Sequence, residues 1–189
     1  MRILRAGNYR RMRWKNGGGE TAEIAVFPEG AGLDDFGWRV SMATVEASGP
    51  FSVFPEVDRT LCVLEGKGII LTVQGRIPMG LTSRSDPLTF PADVPTSAAL
   101  IAGPITDLNV MTRRGLYRHE VNMLELVGPM EIALEGPALL FCRSGRVLVG
   151  IGGRQEKLGR FDAAILSETY ATLGIEGRGQ LYVIEFSPA

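Results

Sequence analysis

The chain has 189 residues, 45% hydrophobic and 22% charged, with a formal net charge of −1, which fits one globular unit or two small fused ones with length enough to bury a core. A charge so near balance offers no basic face for nucleic acid or for an anionic membrane surface. The apolar runs are too short to span a bilayer, and Met1-Arg2-Ile3-Leu4-Arg5 leads into no apolar signal core, so the sequence predicts a cytoplasmic protein.

The 24 glycines and 11 prolines punctuate many short apolar stretches along the whole chain, the pattern of an all-β sandwich or barrel with little helix. Arg2 to Met12 is basic and mixed, an edge strand leading into Arg13-Trp14-Lys15-Asn16-Gly17-Gly18-Gly19-Glu20-Thr21. Three consecutive glycines free the backbone for positive φ and for close approach. That stretch is either a glycine-rich hairpin turn with solvated flanks or a loop that contacts a ligand. Thr21 to Phe27 reads as the first strand, ended by Pro28-Glu29-Gly30. Trp38 to Val45 alternates strictly, so Arg39 and Ser41 share a face opposite Trp38, Val40 and Met42. That face meets either solvent or the inside of a ligand-holding barrel.

Gly49 to Pro55 reads as a turn and a short extended piece. Leu61 to Gly66 reads as a buried strand, and Ile69 to Val73 as its hairpin partner. Met79 to Pro87 reads as a loop with a strand edge, followed by short strands at Leu88–Pro91, Thr96–Ile101 and Asp107–Met111. From Tyr117 onward the order repeats: Ala138–Gly145 parallels Arg59–Gly66, Val147–Ile151 parallels Ile69–Val73, and Leu158–Asp162 parallels Leu88–Asp93. Such a repeat predicts two β-barrel modules, residues 1–116 and 117–189. Glu125 to Ile132 comes nearest to a helix, but Gly128-Pro129 breaks it. Cys62 and Cys142 sit in apolar strand-like runs and read as buried thiols, not a disulfide.

His119 is the single histidine. A mononuclear metal site on a β scaffold gathers two or three imidazoles with a carboxylate, so neither a metal nor another cofactor is expected. His119, beside Arg118 and Glu120, reads as a surface or junction residue. No Gly-x-Ser-x-Gly elbow occurs, and the triple glycine lacks the spacing of a phosphate loop. What remains is polar: Lys15, Asn16, Glu20, Arg39, Ser41, Ser52, Asp58, Arg59, Asp107, Asn109, Arg113 and Arg114. Guanidinium forks match carboxylates, and an amide supplies donor and acceptor together. Cations converging in a barrel mouth would select a small anion such as a dicarboxylate. Alternatively, Asp58–Arg59 and Asp107–Arg113 form ion pairs that lock loops.

Trp14-Lys15-Asn16-Gly17-Gly18-Gly19-Glu20-Thr21, Trp38-Arg39-Val40-Ser41, Gly49-Pro50-Phe51-Ser52, Phe54-Pro55-Glu56-Val57-Asp58-Arg59 and Asp107-Leu108-Asn109-Val110-Met111-x-Arg113-Arg114-Gly115 resemble the HutD/Ves family in content and order. The resemblance implies a cupin-like fold with two barrels in one chain, a bicupin. It also implies a bacterial cytoplasmic protein associated with histidine utilisation genes, and a binding or regulatory role toward an acidic intermediate such as formylglutamate or urocanate.

On both grounds the expected function is metal-independent binding of a small acidic metabolite. Arg39, Arg59 and Arg113 are the anion-binding candidates, with Lys15 as a further cation. Asn16, Ser41, Ser52 and Asn109 would orient the ligand, and the Gly17–Gly19 backbone, Gly17 and Gly18 included, would close over it. The alternative is a metal-free isomerase or hydrolase with Glu20 or Asp58 as base and Lys15 or an arginine stabilising negative charge. A third reading is an interaction protein whose second barrel is a docking surface. Strand edges in such barrels also allow a homodimer.

Overall fold

The structure is a computed structural model that describes residues 1–15, 17–167 and 171–189, with the backbone alone at 171. The regular secondary structure of the described residues is almost wholly strand. In chain order these are β1 (Arg2–Leu4), β2 (Arg10–Arg13), β3 (Gly19–Phe27), β4 (Trp38–Val45), β5 (Gly49–Pro50) and β6 (Val57–Glu65). Then follow β7 (Ile69–Val73), β8 (Met79–Leu81), β9 (Leu88–Pro91), β10 (Thr96–Leu100), β11 (Ile105–Arg113) and β12 (Tyr117–Leu126). The last five are β13 (Met130–Leu134), β14 (Ala138–Ile151), β15 (Arg154–Leu158), β16 (Ala163–Leu166) and β17 (Ala171–Pro188). A single 3-10 turn at Ala6–Asn8 is the helical content among the described residues. No helix among them is long and apolar enough to cross a membrane.

The chain divides into two compact units, one of residues 10–118 with residue 189, the other of residues 1–9 and 119–188. In the first, an antiparallel sheet runs β2-β3-β4-β11-β6-β9, and a four-stranded sheet runs β5-β10-β7-β8. One core joins them: Ala43, Val45, Leu61, Val63, Phe90 and Ile105 from the larger sheet pack with Ile69, Leu71, Val73 and Ala98 from the smaller. Burying each such Leu or Ile contributes about 1.5–3 kcal/mol, so this shared core is what aligns the two sheets. A smaller cluster of Phe36, Val57, Ala92 and Met111 anchors the loop that precedes β4.

In the second unit, one sheet runs β1-β16-β14-β17-β12, with β13 on β17 and β15 on β14. Its core gathers Leu140, Cys142, Val147, Val149, Leu173, Ile175 and Leu181. Two sequence expectations change here. The segments Ala138–Gly145 and Val147–Ile151, read as separate strands, are one strand, β14, whose register slips between Cys142 and Ser144. Arg2–Leu4 does not lead into the glycine loop but pairs with Ala163–Ile165. Asp162 holds that segment: it accepts from the Ala6 N–H at 3.0 Å and from Arg5 Nη1 at 2.8 Å. Gly128 and Pro129 separate β12 from β13, so Glu125–Ile132 contains no helix. Both cysteines are buried free thiols.

Candidate functional site

The register of the larger sheet assembles the site. Period-two alternation puts Asp107, Asn109 and Met111 on one face of β11. On β4 their partners are Ala43, Ser41 and Arg39; on β6 they are Val63, Leu61 and Arg59. On β3, Thr21 and Glu23 lie beside Ala43 and Ser41. Toward one end this face is apolar and continues the core; toward the other it is polar. The ladder is irregular at both acids, between Glu23 and Ala25 on β3 and between Thr106 and Asp107 on β11. Such bulges commonly re-aim side chains near functional sites.

Above the polar end lies a hollow of about 530 Å³ whose lining includes Arg39, Ser41, Arg59, Asp107, Asn109 and Met111. Its rim carries Lys15, Ser52, Leu33 and the aromatic rings of Trp14, Phe51 and Phe54. The Arg59 guanidinium stacks on Phe51 at 4.4 Å and lies 5.9 Å from the Phe90 centroid, a geometry that favours the planar cation and limits its rotation. Trp14 is fixed by donation of Nε1 to Thr21 Oγ1 at 2.8 Å.

Buried polar groups are costly unless bonded, and here they form two chains. Arg39, 4% exposed, donates Nε to Glu23 Oε2 at 2.9 Å and Nη1 to Ser41 Oγ at 3.3 Å. Arg59 donates Nε to Asn109 Oδ1 at 2.8 Å, and Nη2 to the same oxygen. Asn109 Nδ2 in turn donates to Asp107 Oδ1 at 2.7 Å. Asp107 Oδ2 is buried and has no hydrogen-bond partner among the described residues. Burial pushes the Asp107 carboxyl up from 3.8 to about 6, against the pull of Arg59, the Asn109 hydrogen bond and the Ala43 backbone N–H. Burial likewise lowers Arg59 to about 10, with Asp107 opposing and Arg39 adding to the shift.

Of the residues expected at the site, Lys15, Arg39, Ser41, Ser52, Arg59 and Asn109 converge on this hollow. Asn16 lies outside the described residues. Gly17 and Gly18 belong to the β2–β3 turn, where Gly17 N–H donates to Trp14 O and Glu46 N–H to Gly18 O; neither is part of the lining. Arg113 is a strut beneath a loop. It donates Nη2 to Asp34 O at 2.7 Å and Nε to Phe36 O at 3.2 Å, and packs over the Phe36 ring.

Neither ion pair of the alternative reading, Asp58–Arg59 or Asp107–Arg113, forms among the described residues. Asp58 pairs with Arg114 at 3.2 Å, and Asp107 is joined to Arg59 through Asn109. Arg113 sits two residues beyond Met111, yet its polar atoms are spent on backbone carbonyls. Glu20 pairs with Arg11 at 2.9 Å and, like Asp58, lies outside the lining. His119 is half-buried on β12, where burial lowers it to about 4. Sequence reasoning missed the role of Asp107 as the floor of the hollow and the aromatic rim. The alternation Asp107-x-Asn109-x-Met111 carries the first; the second has no periodic signal, because Phe51 and Phe54 stand on irregular backbone.

Another hollow, of about 520 Å³, lies by the Gly150–Gln155 hairpin of the other unit, but its lining is mostly exposed. Among the described residues no three His, Cys, Asp or Glu side chains gather at metal-binding reach.

Known proteins are similar to this chain in sequence or in fold. An uncharacterised 21.2 kDa protein in the hutC 3′ region of Pseudomonas putida is 37% identical over 186 residues, 98% of this chain and 96% of that one. A crystal structure of a conserved protein of unknown function from Pseudomonas aeruginosa PAO1 superposes with a TM-score of 0.92 at 32% identity, covering 98% of both chains. HutD from Pseudomonas fluorescens SBW25, in the formate condition, superposes with a TM-score of 0.85 at 34% identity over 100% of this chain and 98% of that one. At 10% identity, a cupin 2 conserved barrel domain protein from Leptotrichia buccalis superposes with a TM-score of 0.58 over 94% of this chain and 96% of that one, a likeness of fold alone. The HutD family profile matches residues 6–183, and with relatives this similar over nearly their whole length the chain belongs to the HutD family.

Proposed function

We propose that this protein binds a small carboxylate of histidine breakdown without a metal, and that it acts by holding or sensing that acid. N-formylglutamate and urocanate are the natural candidates. The observation that carries the reading is the polar floor. Two arginines, an asparagine and a serine from three adjacent strands meet beneath a hollow of about 530 Å³, with Lys15 at its rim. Guanidinium, amide and hydroxyl groups are the donors of that floor, with the Lys15 ammonium at the rim, a set suited to an oxyanion. Arg59 spends only Nε and Nη2 on Asn109, so among the described residues Nη1 has no protein acceptor. The cations Lys15, Arg39 and Arg59 outnumber the acids Glu23 and Asp107, so an added anion improves the charge balance.

The names of two relatives, one in a hutC 3′ region and one HutD itself, support the link to histidine utilisation. The same reading treats the two units as a pair of cupin-like modules, of which the one of residues 10–118 carries the ligand. Separate cores in the two units support it.

Screening histidine-pathway acids by thermal shift tests the proposal. Ligand at about 100 times its dissociation constant adds roughly 2.7 kcal/mol, which for a chain of this size raises Tm by about 5–10 °C. If no acid in the panel moves Tm, the proposal fails. The alternative is metal-free isomerisation or hydrolysis of such an acid, and the observation on its side is Asp107. A buried carboxyl held at about 6 within a cavity is poised to exchange a proton. Turnover by metal-free protein, lost in Asp107→Asn, would decide for it.

A further inference from the structure

We infer that Asp107 Oδ2 is the cavity's second anchor, and that the ligand is a two-ended acid. Its carboxylate meets the Arg and Lys donors, and an N–H group at its other end donates to that oxygen. The inference rests on the carboxylate reading above and adds a requirement to it.

The chain of donors fixes the polarity. A guanidinium has only donors, so Asn109 must turn Oδ1 toward Arg59 and Nδ2 toward Asp107. Asp107 therefore receives a hydrogen bond at Oδ1 and functions as an acceptor. Its other oxygen is buried and has no hydrogen-bond partner among the described residues, although the Ala43 N–H also acts on the carboxylate, and it belongs to a side chain that lines the hollow. The residue itself is 1% exposed. Buried polar atoms are bonded almost without exception in folded proteins, and the rare orphans mark sites completed by something else. The bulge at Thr106–Asp107 breaks the ladder beside it, so the backbone is shaped around this side chain as well.

The same oxygen sets what cannot bind there. A ligand carboxylate placed against ionised Asp107 meets a like charge, whereas Arg59, Arg39 and Lys15 attract it elsewhere in the cavity. Arg39 is already paired with Glu23, which leaves Arg59 and Lys15 as the stronger attractors. The charged group that acts on Asp107 is Arg59 from β6; Arg39 from β4, paired with Glu23 of β3, and Lys15 from the β2–β3 turn are the other charged groups around the hollow. A simple fatty acid or an aliphatic dicarboxylate would satisfy the cations and leave Oδ2 unbonded. An acylamino acid or a heteroaromatic acid with a ring N–H satisfies both ends.

Matched probes test this. N-formylglutamate is compared with 2-(formyloxy)glutarate, in which ester oxygen replaces N–H, and urocanate with 3-(2-furyl)acrylate. Calorimetry on the full chain at about pH 7.5 should show the N–H member of at least one pair binding at least about tenfold tighter, as expected for a hydrogen bond to a charged group. In Asp107→Asn, whose Nδ2 donates where Oδ2 accepted, that preference should vanish or reverse. Should the variant fail to fold, wild-type protein still decides. Between about pH 7.5 and pH 5 the preference within the formylglutamate pair should shrink as Asp107 takes up its proton. Equal binding within both pairs overturns the inference and leaves the carboxylate reading standing. If no member of either pair binds, the carboxylate reading fails and the inference falls with it.

Discussion

Two titrating residues, Asp107 and His119, pull the pH dependence of folding in opposite directions. Asp107 has its folded value raised from 3.8 to about 6. Between those values the folded state binds the extra proton, so stability rises as pH falls, and the cost of burying the charge is felt above about 6. A shift near two units corresponds to about 3 kcal/mol at most. His119 has its folded value lowered from 6.5 to about 4. There the unfolded chain binds the proton, so stability is lost as pH drops from 6.5 toward 4. Wild-type protein should therefore change little in stability between neutral pH and about 5, where the two effects offset. Asp107→Asn should destabilise steeply over the same range, read from urea midpoints at several pH values. A variant with the same pH profile as wild type would show that Asp107 is not held protonated near 6. Asp107 itself was partly legible: alternation puts it with Asn109, but only the neighbouring strands reveal that Arg59, and not Arg113, is its cation.

At the scale of elements, the β2–β3 hairpin separates what glycine does from what a ligand needs. Gly17 has φ +70 with open space around it, whereas a Cβ on Gly19 would lie 2.2 Å from Thr44 O and 3.1 Å from the Trp14 ring. Gly17→Ala should cost about 1–2 kcal/mol for its left-handed backbone. Gly19→Ala should cost more, about 2–3 kcal/mol, because β3 must move off β4 to clear the Thr44 carbonyl, and the Trp14 ring is crowded as well. Equal losses in chemical denaturation would contradict this. The turn chemistry of the triple glycine was readable from sequence. Which glycine is irreplaceable was not, since that depends on a carbonyl 25 positions away.

The loop before β4 makes a similar point. Arg113 binds the carbonyls of Asp34 and Phe36, and Leu33 of that loop lines the hollow. Arg113→Ala should therefore raise amide exchange across residues 31–36 and weaken every acid by a similar factor, without changing which acid is preferred. A change in preference would instead place Arg113 on the ligand.

Across the whole molecule, short strands between glycines and prolines made the all-β class legible, because turn residues and alternation are local signals. Pairing over long separations was not. Nothing within Arg2–Leu4 announces that it joins Ala163–Ile165, and nothing within Ala138–Ile151 shows that Gly145 interrupts no strand. The site was legible to the degree that alternation and motif order pointed at Arg39, Ser41, Arg59 and Asn109, and it is the packing of two sheets over one core that turns them toward a common hollow. Titration calorimetry of N-formylglutamate and urocanate against wild-type protein and Arg59→Ala tests that arrangement most directly. Saturable one-to-one binding of at least one acid, weakened at least about tenfold in a variant that still unfolds cooperatively, is the predicted result. Flat titrations of wild-type protein with both acids, or equal affinity in the variant, would contradict it.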